Sequence, residues 1–130
     1  MDIDQLPRIE TREFMNGTVL AVDDAGESAT VRFLPPAGMT NPHGGVQGGF
    51  VAAMIDDAVS LATWFAGNER AFVTTSLICY YLRPVPAGTP LLATCRLVRA
   101  GRRQAVFDAF VTVEGSDEIL VKAVQTQQFL

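Results

Sequence analysis

Histidine is nearly absent from this chain. Among its 130 residues there is one, His43, beside two cysteines, Cys79 and Cys95. So small a stock offers neither a Cys/His zinc site nor a disulfide framework, and a reducing, cytoplasmic setting is the expectation. Both cysteines lie in apolar, strand-like runs and read as small core hydrophobes. Basic residues are also scarce, with ten Lys and Arg against fourteen Asp and Glu, a net charge of -4 and a pI near 4.8. An acidic chain of this kind is poorly suited to nucleic acid. Its first residues, Met1-Asp2-Ile3-Asp4, lack the basic and apolar regions of a signal peptide. No repeat, linker or low-complexity tract interrupts it, so residues 1–130 are expected to form one domain.

What the chain does have is apolar surface. Hydrophobic residues make up 48% of it, enough for a real core and, in a small chain, a hint of a buried oligomer interface. The longest apolar run is residues 48–66, opened by Gly48 and Gly49 and closed by Gly67-Asn68. Phe50, Met54, Ile55, Val59, Leu61 and Trp64 leave it without a polar face. Such a helix is either a membrane span or the centre of a fold. Asp56 and Asp57 in its middle argue against the membrane. An unpaired carboxylate there costs several kcal/mol, so at least one of them should be paired, partly wetted or functional.

Around this helix the pattern is one of strands. Residues 11–16 suggest a short helix, and 18–23 with 28–34 a hairpin about the Asp24-Ala25-Gly26-Glu27 turn. Residues 35–47 form a loop that feeds the long helix. Strands follow over 71–82, 91–99, 104–114 and 119–129. The 71–82 run is apolar on both alternating sets toward its end, as expected of a strand covered on both sides. The order β-β-α-β-β-β-β predicts an α+β fold, an antiparallel sheet of about six strands wrapped around one helix.

Three features could carry chemistry: Asn41 in the loop, the glycine pair at the helix start, and Asp56. A helix N-terminus leaves amide N–H groups unpaired and carries partial positive charge. Glycine there lets a carbonyl oxygen approach the backbone, the requirement for an oxyanion site. At about 100° per residue, Asp56 falls some 20° from Gly49 and 80° from Gly48, whereas Asp57 lies on the far side from Gly48. Asp56 is thus the candidate for the glycine face, in a polar line with Ser60 and Thr63, and Asp57 for a structural or interface pair. Eight residues of helix rise ~12 Å, however, so one carbonyl cannot meet Gly48 and Asp56 of the same chain. If both act on one substrate, a twofold axis must bring antiparallel helices together.

The stretch Asn41-Pro42-His43-Gly44-Gly45-Val46-Gln47-Gly48-Gly49, followed by Ala53-Met54-Ile55-Asp56, resembles the hotdog-fold thioesterases of the phenylacetate-pathway (PaaI-like) branch. Val73-Thr74, Tyr81-Leu82-Arg83-Pro84 and Gly88 continue the resemblance, which covers about residues 15–129. In that branch a His-Gly-Gly triplet precedes the catalytic carboxylate by nine positions. Counting back nine from Asp56 reaches Gln47, so His43 is out of register and Gln47 stands where the family has histidine. The resemblance implies that Asp56 is the general base or the nucleophile and that Gly48, with Gly49 assisting, donates to the thioester oxygen. It implies an amide at Asn41 that holds the water or the carboxylate, and a hydroxyl at Thr74 that positions water. Gln47 then lies against the substrate, in a place that brings rate and preference into question more than reaction type. For Asn41 and Thr74 a turn residue and an ordinary strand threonine are the plain alternatives. His43 reads as a solvated loop residue.

Arg99, Arg102 and Arg103 are candidates for the phosphates of a coenzyme A, against the alternative of a solvated hairpin tip. Trp64, Phe65 and Phe72 read as core, with room for some to line an acyl or aryl pocket. The expectation is therefore a homodimer, or dimer of dimers, hydrolysing an acyl-CoA thioester without metal or organic cofactor. A non-hydrolytic acyl-CoA binding protein would bind without releasing thiol. A dehydratase or hydratase needs a placed histidine, and a structural oligomer would use Asp56 only as an interface pair.

Overall fold

A computed structural model describes residues 1–130. Six strands form one sheet: β1 (Gly17–Val22), β2 (Ser28–Phe33), β3 (Phe72–Tyr81), β4 (Leu91–Ala100), β5 (Gln104–Val113) and β6 (Val121–Phe129). Their order across the sheet is β1-β2-β4-β5-β6-β3, and every ladder is antiparallel. A short helix, α1 (Glu10–Phe14), precedes the sheet, and the long helix α2 (Gly48–Ala66) lies against it. The architecture is the α+β arrangement expected from the pattern, and α2 has the predicted bounds.

The core follows from two periodicities. Strands β2, β4, β5 and β6 alternate buried and half-exposed residues, so that Val31, Phe33, Leu91, Phe107 and Val111 point inward. Against them α2 buries Val51, Met54, Ile55, Ala58, Val59, Leu61, Ala62 and Thr63. By length and composition α2 could cross a membrane, but here that apolar surface is what the sheet covers. Thr63 is fully buried and gives its hydroxyl to the Val59 carbonyl (2.7 Å). It therefore serves the helix backbone and does not extend a polar line from Asp56 and Ser60.

Strand β3 departs from its expectation. It is the last strand in the sheet, pairs only with β6, and leaves Val73, Ile78 and Tyr80 47, 51 and 55% exposed. A run apolar on both sets is not covered on both sides within one chain, because the strand order places it at an edge with unpaired backbone groups. Trp64 is exposed rather than core, and Phe65 and Phe72 are half-buried. Cys95 is buried, Cys79 half-buried, and both are free thiols.

The β1–β2 turn locks the sheet to the end of α2. Gly26 has φ +74°, and a Cβ there would stand 2.2 Å from the Ala66 nitrogen and 2.4 Å from the Ala62 carbonyl oxygen. Both obstacles are helix backbone, which cannot step aside. Gly26→Ala is expected to lower unfolding stability by at least ~2 kcal/mol, read as a lower guanidinium midpoint with an unchanged slope.

Candidate active site

The first half of the site is the entry to α2. The loop after β2 is folded on Asn41, whose Oδ1 accepts from the His43 amide (2.9 Å) and the Gly45 amide (3.1 Å). This is the turn role open to an Asn before Pro; it leaves Nδ2 as the group able to donate elsewhere. Val46 is buried and its amide donates to the Val85 carbonyl (2.9 Å), which ties the loop to the β3–β4 connection. Gln47 is the N-cap residue; its exposed side chain makes no capping bond, while its carbonyl accepts from the Phe50 and Val51 amides. The Gly48 and Gly49 amides have no acceptor in the chain. A Cβ at Gly49 would meet open space, and one at Gly48 would meet the Tyr81 ring at 3.2 Å. Tyr81 donates its hydroxyl to the Gly48 carbonyl (2.5 Å). Burial, followed by the neighbouring Cys79 thiol, pushes the Tyr81 phenol up to about 12, so it remains a donor at working pH. Asn41, Gly48 and Tyr81 line one groove with Arg83 and Val85. His43 is exposed on the loop.

The second half is Asp56, and it sits in a different depression, lined by Ile9, Thr11, Met15, Ala53, Asp57 and Ser60. Asp56 Oδ1 accepts from the Thr74 hydroxyl (3.2 Å) and from Gln125 Nε2 (2.6 Å), while Gln125 Nε2 also donates to Thr74 Oγ1 (3.1 Å). Thr74 reaches Asp56 through a bulge. The β3–β6 register shifts between Thr74 and Ser76, so Thr74 pairs opposite inward-facing Gln127 while Leu77 pairs opposite inward-facing Gln125. Strict alternation from Leu77 would have turned Val73 and Thr75 inward instead; the extra residue re-aims Thr74.

Gln125 is the residue that sequence reasoning missed. It is fully buried on β6, whose inward positions are Val121, Ala123, Gln125, Gln127 and Phe129. The signal was available: two amides interrupt an inward-facing apolar set, and buried polar groups need a reason to be there.

Asp57 has another fate. Arg12 of α1 grips it with Nε to Oδ2 at 2.7 Å and Nη2 to Oδ1 at 3.2 Å, and both side chains are at most one-tenth exposed. Burial, the largest influence, raises the Asp57 carboxyl above its ordinary range, and Arg12 pulls it back down. Beside this pair lies an apolar depression of about 310 Å³, lined by Leu6, Pro7, Ile9, Leu61, Trp64 and Phe72. It shares Ile9, Asp57 and Ser60 with the Asp56 depression, so the two adjoin.

Within one chain, then, Asp56 and Thr74 come together, Asn41 and Gly48 come together, and the two pairs lie apart. Arg102 and Arg103 line a fourth depression with Arg99 at the β4–β5 turn. The Arg102 carbonyl accepts from Arg70, just beyond the far end of α2 from Gly48. They are not brought beside either half. No group of three or more His, Cys, Asp or Glu side chains has the arrangement of a metal site.

Comparison with known proteins agrees with this architecture. The family model of the thioesterase superfamily matches residues 43–120. The TT0310 protein of Thermus thermophilus is similar at 29% identity and TM-score 0.84, with 95% of this chain and all of that one covered. A variant of the phenylacetic acid degradation protein PaaI from Thermus thermophilus is 28% identical, with TM-score 0.83 and 94% and 100% coverage. The E. coli PaaI protein of the phenylacetic acid degradation operon shares the fold at 21% identity, TM-score 0.84, with 94% and 85% coverage. No curated protein sequence matches the chain.

The Arg12–Asp57 pair gives a stability prediction with a definite sign. Removing Arg12 leaves a buried carboxylate whose remaining influences, burial and the Asp56 charge, both raise it. A carboxyl raised in the folded state supports folding at low pH, and that support is lost as the pH rises through its folded value. Arg12→Met is expected to cost about 3 kcal/mol at neutral pH. The deficit should narrow as the pH falls toward ~4, measured as urea midpoints across pH.

Proposed function

Since this chain belongs to the thioesterase superfamily and has the hotdog fold of its PaaI-like branch, we propose that it hydrolyses an acyl- or aryl-CoA thioester to the free acid and CoA. The observation that carries this reading is the held carboxylate. Asp56 lines its depression with Oδ1 taking two donors, from Thr74 and Gln125, and Oδ2 taking none. An acidic group fixed by one oxygen and open at the other can take a proton from water, or attack the thioester carbon to give a mixed anhydride that water then opens. In either route the C–S bond breaks and the sulfur leaves as thiol.

The developing oxyanion needs donors that are already in place. The free amides of Gly48 and Gly49 supply them, with Asn41 Nδ2 on the same groove. Because eight helical residues rise ~12 Å, the carbonyl seated at Gly48 would meet Asp56 of a second chain. The free edge of β3 supports a homodimer joined along it, and Val73, Ile78 and Tyr80, exposed on that strand's outward face, support further assembly as a dimer of dimers. Gln47, exposed at the entry to α2, would lie beside the thioester in place of histidine. Arg102 and Arg103 would take CoA phosphates from their own depression. The apolar depression adjoining that of Asp56 would seat the acyl group, and its volume is at the small end of ligand sites.

Thiol release from a panel of acyl-CoAs tests the reading. Asp56→Asn should lower kcat by about 10²–10⁴ while leaving the thermal midpoint nearly unchanged; wild-type turnover by that variant would sink the assignment. Light scattering should give two or four times the 14.0 kDa of one chain. Trp64→Ala should move preference toward longer or bulkier acyl groups, seen as a relative rise of kcat/KM for them across the same panel.

A further inference from the structure

Three side chains from three elements, Asp56 of α2, Thr74 of β3 and Gln125 of β6, close a hydrogen-bonded ring. Gln125 Nε2 has two hydrogens, and its contacts account for both: Asp56 Oδ1 at 2.6 Å and Thr74 Oγ1 at 3.1 Å. Since the Thr74 oxygen already accepts from Gln125, its one hydrogen goes to Asp56 Oδ1, 3.2 Å away. The amide cannot be turned round, because Oε1 would then face a carboxylate oxygen, acceptor against acceptor. Gln125 is fully buried and its Oε1 has no partner. An apolar residue, as at Val121 and Ala123, would avoid that desolvation cost. What keeps an amide here is the work of its other end.

We infer that Gln125 is the positioning residue of the reactive carboxylate, committing the Thr74 hydroxyl and Asp56 Oδ1 to each other so that Oδ2 alone meets the attacking water or the thioester carbon. The inference rests on the hydrolase reading above and changes one part of it. The hydroxyl that the resemblance implies holds water is here engaged in holding the carboxylate, and water has to be met by Oδ2. Losing Gln125 removes one donor from the ionised carboxylate and frees Thr74 to turn away, which disfavours the charged form. The charged group lining the depression beside Asp56 is Asp57, on its own helix, with Arg12 of α1 bonded to it. β3 and β6 present Thr74 and Gln125 to it.

The test uses the intact protein with Gln125→Met, the near-isosteric Gln125→Glu, and Gln127→Met at the next inward position of β6, which makes no bond to Asp56. Two quantities are followed: the carbon-13 titration of the Asp56 carboxyl, and kcat and KM for acyl-CoA hydrolysis against pH. Gln125→Met should lower kcat about tenfold to a hundredfold, the worth of one or two charge-assisted bonds, with KM within about twofold if binding is untouched. It should also move both the Asp56 titration midpoint and the acid limb of the rate profile to higher pH. Gln125→Glu, which forces two carboxyls to share a proton, should move them further and decides the matter if the Met variant does not fold. Gln127→Met should leave both where they are. A titration midpoint unmoved in folded Gln125 variants overturns the inference whatever the activity. A midpoint that moves in a protein releasing no thiol from any acyl-CoA overturns the hydrolase reading instead, and keeps Gln125 as the group that governs this carboxylate.

Discussion

Two adjacent carboxylates inside an apolar helix have to be reconciled with their surroundings, and most of what distinguishes this molecule follows from how α2 does so. Isolated burial of either would cost more than a small domain can spare. Asp57 is matched with a cation, Arg12, in a two-point contact that is largely buried. Asp56 is matched with neutral donors, Thr74 and Gln125, on one oxygen only. A buried ion pair is stiff, and breaking it is costly. A carboxylate held by neutral donors keeps its charge available on the oxygen they do not touch. The first suits anchoring the N-terminal segment to α2, and the second suits chemistry.

The same helix imposes a division on the site. Its N-terminus, bare at Gly48 and Gly49, is separated from Asp56 by more than two turns, and the chain puts the two in separate depressions. The sheet order then leaves β3, the strand carrying Thr74, at an open edge, with apolar side chains exposed on its outward face. An edge of that kind is a surface for pairing. A second copy laid antiparallel along it would also turn one helix N-terminus toward the other chain's carboxylate. In such a dimer, assembly and chemistry would be linked through one strand.

Gln47, which stands where the resemblance implies histidine, falls on the half of the site that would work through backbone in the proposed reaction. Gln47 makes no capping bond, and its carbonyl, not its side chain, supports the first turn of α2. The donors at Gly48 and Gly49 are therefore independent of which side chain precedes them. Tyr81, packed over Gly48 and bonded to its carbonyl, holds this turn from the other side. The two halves are supported differently, one by main chain and a tyrosine, the other by side chains alone.

Residues 48–66 declared themselves as the central helix because glycine punctuates both ends and nothing charged interrupts the run but the aspartates; the choice of Asp56 over Asp57 followed from helical phase. These are local facts, set by 3.6 residues per turn. The strands were legible by alternation to within two residues, and the loop carrying Asn41 by its Asn-Pro and glycines. What neighbouring residues cannot contain is pairing. The bulge that turns Thr74 inward exists only in the register between β3 and β6. Gln125 finds Asp56 across 69 residues and Arg12 finds Asp57 across 45. The exposed edge of β3 and the exposure of Trp64 depend on strand order and on what a neighbour does or does not cover. Sequence by itself determined which residues carry charge, bare backbone and apolar surface, since those are properties of side chains and short spacings. Tertiary structure decided which of them meet, because meeting is settled by long-range register and burial.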